Sequence, residues 1–391
     1  MLRDKGVHRV RVLTVGGELE LWRRYFWTQG QGGEYPQDSV LGIQAHRTSP
    51  GAREVLCRLG MTEDFSAAAE DARRIGNVPV GREKLRLLVE AEAARIAEAR
   101  NTGKLPAAWK AKDAKVPGSD KTRIYTGVDG VMAPMVTQLE KDKRRAAQTV
   151  RRQQRGKSGV GNTKPLPSAR PGSDERYKEM KIGLFYDQDK SHRHVLVTAG
   201  NHEVFAPLLK SHADQVEFEK ADQSISLTDG AKWIVRTICQ MLLLIKATLL
   251  DFYHLSQHVH QAAKVCFGEG AKATQWAMEQ LKQLKEVGVG PLLAAIDTLD
   301  RKTRSLSKKN SLRLLRDYVI ERLEMIDYRS ALAQGWDIGS GPTEAMCKNL
   351  TLRLKRPGMK WDADHAQGMM NLIAMYESGQ GKTYWSGLSS G

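Results

Sequence analysis

The sequence predicts an α/β fold: a mixed five-stranded sheet with flanking helices, an all-helical insertion, and a small, mainly helical N-terminal region. Three observations carry this. Between 123 and 266, strand-like and helical stretches follow in the order β, β, β, α, β, α, β, α. From 267 to 336 the periodicity is helical throughout. Ahead of both lies a helical stretch from Asp64 to about Arg100. Three consecutive strands favour an antiparallel meander, and the later alternation favours parallel additions to it.

Element by element, residues 8–28, "HRVRVLTVGGELELWRRYFWT", alternate apolar and polar about Gly16-Gly17 and predict a β-hairpin. "QGQGGEYPQDS" reads as a Gly-rich loop. "DFSAAAEDARRIG" and "GREKLRLLVEAEAARIAEAR" are helices on either side of the turn "NVPV". With Arg82, Lys84 and Arg86 opening the second, the pair fits a helix-turn-helix, and a plain αα-hairpin equally. Residues 101–122 lack periodicity and read as a linker. "RIYTGVDGVMAPM" is a strand whose acid is Asp129, and 141–172 is a basic loop with eight Lys/Arg and one acid between 141 and 157.

Two strands, "RYKEMKIGLFYDQD" and "HRHVLVTAG", come next, with His192 and His194 placed at a solvated turn. The helix "FAPLLKSHADQV" leads to a strand ending at Asp229-Gly230, then the helix "WIVRTICQMLLL". "IKATLLDFYHL" is a strand ending at Asp251, and "SQHVHQAAKVCF" a helix. A final basic helix, 343–356, follows the turn "GSGP". The resulting organisation is 1–45 hairpin region, 46–100 helical region, 101–122 linker, 123–266 core, 267–338 helical insertion, 339–378 core completion and 379–391 tail.

Lys and Arg number 61 against 45 Asp and Glu, a formal charge of +16 and a pI near 9.6. That balance suits neutralisation of phosphate and points to nucleic acid. Cys57, Cys239, Cys266 and Cys347 form no CxxC pair, which argues against a zinc ribbon and a disulfide scaffold. The start lacks the apolar stretch of a signal peptide, and the run "MLLLI" is too short to span a bilayer, so the expectation is a cytoplasmic protein without a membrane partner.

Asp129 and Asp229 are each followed by Gly after a strand, and Glu344 sits in the first turn of a helix. Strand ends of open α/β sheets are where sites form, and a first-turn carboxylate faces the positive end of the helix dipole. Three such carboxylates repel unless a cation neutralises them, and hard oxygen ligands suit Mg²⁺ or Mn²⁺. Two ions about 3.5–4 Å apart can drive an in-line phosphoryl displacement. Asp251 also ends a strand and competes for the place of Asp229; the repeated "DG" context favours Asp229. Trp233, next to Asp229, is a core residue or a base-stacking one.

A mixed five-stranded sheet with flanking helices is the plan of ribonuclease-H-like folds. The stretches "GVDGVMAPM", "LTDGAKWI", "LLDFYHLSQHVHQAA" and "IGSGPTEAMCKNLTLRLKRPGMKW" resemble a DDE transposase of the bacterial ISKra-type insertion sequences, related to Mutator-like elements, over about 123–375. The resemblance implies Asp129, Asp229 and Glu344 as catalytic metal ligands, two Mg²⁺ or Mn²⁺ ions as cofactor, and Asp251 with His254 as a supporting D-x-x-H motif. It also implies DNA, both element ends and target, as partner, and a homo-oligomer on that DNA. Relatives carry paired cysteines where this chain has "YFWTQGQGGEYPQDSVLGI", so 1–45 resembles a degenerate zinc-knuckle module, and the abrupt start suggests a shortened copy.

Lys348, Arg353, Lys355, Arg356 and Lys360 cluster after Glu344 and, with Arg144, Arg145, Arg151 and Arg152 of the basic loop, are the expected DNA contacts. The expected activity is metal-dependent cleavage and strand transfer of an insertion sequence. Alternatives are a nuclease or resolvase on the same fold, and a DNA-binding protein derived from a transposase that no longer catalyses.

Overall fold

A computed structural model describes residues 2–30, 32–43, 47–155, 166, 168 and 170–389. Strands β1 (Leu2–Thr14) and β2 (Gly17–Thr28) form the expected antiparallel hairpin, closing where Thr14 pairs with Gly17. Gly17, the first residue of β2 after the Val15-Gly16 turn, has φ +102°, a conformation that glycine supplies without strain. The predicted Gly-rich loop instead carries a third strand, β3 (Gly32–Glu34), and a helical turn, α1 (Pro36–Val40). Helix α2 (Pro50–Thr62) is capped by Ser49, and α3 (Phe65–Arg74) by the Asp64 carboxylate, which accepts from Ser66 and Ala67 N–H. Helix α4 (Arg82–Asn101) buries Leu85, Leu88, Val89 and Ile96 along one face.

Of the expected linker 101–122, Asn101 ends α4 and the rest is packed: Leu105, Trp109, Ala111 and Ala114 are buried, and Trp109 Nε1 donates to the Arg193 carbonyl at 3.0 Å. Its apolar residues show no period, yet these four fill places on the core.

Strand β4 (Arg123–Pro134) leads into α5 (Gln138–Gln154). Half of the predicted basic loop is therefore helix. Thr137 and Glu140 form a reciprocal capping box that starts it. Residues 156–165, 167 and 169 of that loop lie outside the described residues. Next come β5 (Tyr177–Asp187), β6 (Arg193–Thr198), α6 (His202–Gln215), β7 (Gln223–Thr228), α7 (Lys232–Met241), β8 (Ala247–Leu250) and α8 (Phe252–Phe267).

The five strands of the core stand in the order β6-β5-β4-β7-β8. β4, β5 and β6 are an antiparallel meander, and β7 then β8 add in parallel to β4. His194 departs from its expected solvated turn. It is fully buried in β6, with Nε2 2.8 Å from Nδ1 of the equally buried His212 on α6. His192 keeps the turn and pairs with Asp187 at 2.7 Å.

Helices α9 (Ala271–Glu286), α10 (Gly290–Lys302), α11 (Leu306–Ile320) and α12 (Tyr328–Ala333) form the predicted insertion around a core of their own with α8. Helices α13 (Gly341–Leu352), α14 (Ala363–Glu377) and α15 (Gly381–Ser389) complete the chain. The predicted tail is thus helical, with Trp385 buried and its Nε1 donating to Tyr376 Oη at 2.8 Å.

One face of the sheet, lined by Tyr125, Ile182, Ile225 and Leu249, shares a single core with α2, α3, α4, α13 and α14. The other face packs on α6 and α7. Arg100, at the end of α4, is fully buried and donates to Asn371 and Gln380 at 2.9 Å each and to the Val195 carbonyl. The N-terminal helices are thereby fused to the core. Among the described residues no helix is long and apolar enough to cross a membrane.

Candidate active site

The sheet register sets the site. Parallel pairing runs from Arg123↔Gln223 to Gly127↔Leu227, and from Ile225↔Ala247 to Thr228↔Leu250. Continued two residues past Leu227, the same offsets put Asp129, Asp229 and Asp251 in one row across three parallel strands. Their side chains start on the face of Tyr125, Leu227 and Leu249, because successive residues of a strand alternate sides.

Asp129 does not end its strand. β4 continues to Pro134 because β5 goes on pairing with it as far as Tyr177, while the partner on the other side, β7, stops. Asp129 therefore sits mid-strand with one ladder edge open towards Asp229. Its Oδ1 accepts from Gly130 N–H at 2.6 Å, and its Oδ2 lies 3.6 Å from Cys347 Sγ. Burial pushes the Asp129 carboxyl above the usual carboxylate range, against the pull of those two donors, and the nearby Asp229 and Glu179 charges raise it further. The Cys347 thiol is raised too, by burial first and then by Asp129 and Glu344.

Helix α13 lies across β4. A Cβ on Gly127 would fall 1.9 Å from Thr343 Oγ1, so only glycine lets the helix come this close. Thr343 over Gly127 and Cys347 over Asp129 fix the helix register, and Glu344 follows in the exposed first turn. Asp229 is half-buried just past β7: Oδ1 accepts from Ala231 N–H at 2.9 Å, and no hydrogen bond among the described residues uses Oδ2. Tyr318 Oη donates to the Asp229 carbonyl at 3.4 Å. Beside it Gly230, at φ +78°, leaves room for Arg322, whose Nε would stand 2.5 Å from a Cβ there.

Asp251 is placed differently. It is buried and caps α8, Oδ1 accepting from Tyr253 N–H at 2.6 Å and His254 N–H at 3.0 Å. Its Oδ2 accepts from the Ser340 backbone N–H at 2.8 Å and from the Ser340 hydroxyl. Helix α8 thus begins at Phe252, earlier than expected, and the carboxylate is committed to the chain. His254, His258 and Tyr318 form a ring series: the histidines meet edge-on at 5.6 Å and His258 stacks on Tyr318 at 4.0 Å, with the Arg322 guanidinium 4.0 Å from the centre of the Tyr318 ring. Burial lowers His258, helped by His254 and Arg322, and raises Tyr318 to about 12.

Among the expected DNA contacts, Arg353 does not qualify. It is buried, its Nε donates to the Gly60 carbonyl at 2.9 Å, and its guanidinium lies 4.8 Å from the Phe65 ring and 5.1 Å from that of Trp361. Burial lowers it to about 10. Lys348, Lys355 and Arg356 are exposed; α13 ends at Leu352, so Lys355 and Arg356 leave from the turn after it, and Lys360 pairs with Glu140. Arg144, Arg145 and Arg151 are exposed and Arg152 half-exposed along α5. Trp233 packs edge-on to Phe205 at 6.0 Å under the Lys181 ammonium at 4.4 Å.

Sequence reasoning missed Cys347, Thr343, Ser340, Tyr318 and Arg322. Their residue types give no sign of the role, and each acts through a contact across 89 or more residues of chain, besides the packing of Arg322 on the Tyr318 ring. Among the described residues, no three His, Cys, Asp or Glu side chains are gathered closely enough to hold an ion. No known family model matches this chain, and no curated protein matches it significantly.

Proposed function

We propose that the chain is a DDE-type transposase whose core is ribonuclease-H-like, in which Asp129 and Asp229 are metal ligands and Glu344 completes their set. One observation carries this: Asp129, and Asp229 just past the end of β7, fall opposite each other when the parallel register of the two strands is continued, and α13 brings the Glu344 turn across β4. The strand order, a meander followed by two parallel additions, supports the same reading.

The carboxylate chemistry suits a hard divalent cation, although Asp129, Asp229 and Glu344 stand too far apart in this structure to hold one without closing on it. Asp229 Oδ2 is uncommitted among the described residues, and the Asp129 carboxyl is held high by burial and neighbouring negative charge that a cation would offset. When bound, such ions supply an activated water or 3′-hydroxyl and stabilise the leaving oxygen. The chain's own residues orient the carboxylates: Gly130 N–H and Cys347 hold Asp129, Ala231 N–H holds Asp229, and Asp251 holds the turn from which Glu344 projects. Asp251 is a positioning residue in this account, because its oxygens are taken up by Tyr253, His254 and Ser340. Lys348, Lys355 and Arg356 would meet backbone phosphates beside the cut.

The test is a strand-transfer assay in Mg²⁺ or Mn²⁺ with pre-cut ends taken from DNA flanking the coding sequence. Joined product in the wild type, absent in Asp229→Asn, is expected. Cleavage without joining would make the protein a nuclease or resolvase instead.

A further inference from the structure

Arg353 carries a positive charge into the interior without an acid to meet it. The residue is 2 % exposed. Its Nε donates to the Gly60 carbonyl at 2.9 Å and its Nη1 to Met359 Sδ at 2.7 Å, and the Phe65 and Trp361 rings flank the guanidinium. Nη2 is buried and has no partner among the described residues. Asp64, the acid whose charge it feels, uses its carboxylate on Ser66 and Ala67 N–H at the start of α3. Buried charges in proteins are paired, because leaving one unpaired is strongly unfavourable. An anion on Nη2 would supply the missing partner.

Arg353 lines a cavity of 420 Å³ at the seam between the N-terminal helices and the core. Arg86 of α4, Lys141 and Arg144 of α5, and Lys360 line it as well. Three of these already hold acids: Lys141 pairs with Asp362, Lys360 with Glu140, and Arg86 with Glu83 and Glu90. Five cations still face only two lining acids, Glu90 and Asp362. Val136, Met359 and the Trp361 ring give the same cavity an apolar wall. We propose that this cavity binds a small phosphate monoester of nucleotide size, with its phosphate on Arg353 Nη2 and its body against Val136, Met359 and Trp361. A guanidinium among further cations suits a doubly charged phosphate head. An apolar wall with a few convergent polar groups is the usual make-up of a small-molecule site. A phosphodiester within a nucleic-acid chain carries a substituent on either side, which keeps its oxygens from so enclosed a side chain; a terminal phosphate has no such bar.

The experiment titrates the full-length wild type with adenosine monophosphate, inorganic phosphate and adenosine by calorimetry, with KCl holding the ionic strength constant, and follows the melting temperature alongside. Adenosine monophosphate and phosphate should bind and compete, the nucleotide more tightly, and adenosine should not bind. The melting temperature should rise with the logarithm of nucleotide concentration. Arg353→Met keeps most of the bulk and removes the charge, so it should weaken nucleotide binding about tenfold or more. Arg144→Gln/Lys360→Gln, at two exposed positions, guards against a misfolded Arg353 variant. It should melt near the wild-type temperature and weaken the nucleotide about fivefold.

Failure of both nucleotide and phosphate to bind overturns the site. So does nucleotide affinity unchanged in the folded variants, or adenosine binding as tightly as its monophosphate. Phosphate as tight as the nucleotide removes the organic body and with it the ester. A 30-base-pair duplex that displaces the nucleotide, and itself binds less tightly to Arg353→Met, would give the cavity to a nucleic-acid backbone instead. None of Asp129, Asp229 and Glu344 lines the cavity, so nucleotide binding and metal-dependent cutting succeed or fail separately.

Discussion

The carboxylate of Asp251, at the end of β8, accepts the backbone N–H of Ser340 at 2.8 Å and so ties the fifth core strand to the residue that begins α13. That single group spends its other oxygen on the first turn of α8. The candidate site therefore rests on a carboxylate that resembles its neighbours Asp129 and Asp229 in sequence context but not in use.

Replacing Asp251 should damage the fold, whereas replacing Asp229 should damage only chemistry. Asp251→Ala removes a helix cap and leaves Ser340 N–H unpaired, a loss of about 2–4 kcal/mol. Asp229→Asn keeps the oxygen that Ala231 uses and relieves repulsion with Asp129, so its denaturant midpoint should match or exceed that of the wild type. Urea unfolding of the two variants side by side decides it, and equal stability would return Asp251 to the list of acids.

Divalent cation should stabilise the protein through the same two acids. At one hundred times its dissociation constant a single-site ligand adds about 2.7 kcal/mol. Thermal unfolding in Mn²⁺ should shift upward for the wild type and not for Asp129→Asn or Asp229→Asn. The Asp129 carboxyl is raised, so it is protonated in the acid range and binds poorly there; the shift should grow as pH rises through its raised value.

Acid should unfold the protein through His194 and His212. Burial holds both below the ordinary histidine value, His212 at about 3, so both are neutral when folded and charge only on unfolding. Their stability is fully present above about pH 6.5 and is lost as pH falls from there towards the folded values, by about 1.4 kcal/mol per pH unit for each histidine. Denaturant midpoints between pH 7.5 and 5 measure the slope, and the His194→Leu/His212→Leu pair should flatten it.

Gly127→Ala should push α13 away from β4, since the new Cβ would overlap Thr343 Oγ1. Overpacking of this kind costs about 1–3 kcal/mol. Activity should fall further than stability does, because Glu344 moves with the helix, and adding Thr343→Ala should recover part of both. No recovery would mean that the helix position does not govern the site.

Arg353 and Lys348 should separate cleanly. Arg353→Lys loses the bond to Gly60 and the stacking on Phe65 and Trp361, so it lowers stability and leaves the salt slope of DNA binding alone. Lys348→Gln, at an exposed position, should leave stability alone and reduce the slope by about 1.

The meander and the two parallel additions were legible because period-two stretches broken by glycine mark strands, and the helical segments between β6, β7 and β8 require parallel crossovers. The middle position of Asp129 was not, since the ladder that carries β4 past it belongs to β5, about fifty residues on. Helix α5 looked like a loop because it has no apolar face to bury, though Thr137 and Glu140 spell a capping box in the sequence. Arg353 was placed on the surface by its charge; only the fold shows that the α2 end and two aromatic rings enclose it. The packed segment 102–122 depends on contacts with β6 that no local pattern announces.

The most direct test is transposition of a marked element, bounded by DNA from either side of the coding sequence, with wild type, Asp129→Asn, Asp229→Asn and Glu344→Gln supplied in trans. The account predicts metal-dependent excision and joining by the wild type, and a loss of about a hundredfold or more in each variant while DNA binding persists. Wild-type transposition by Asp229→Asn would contradict it.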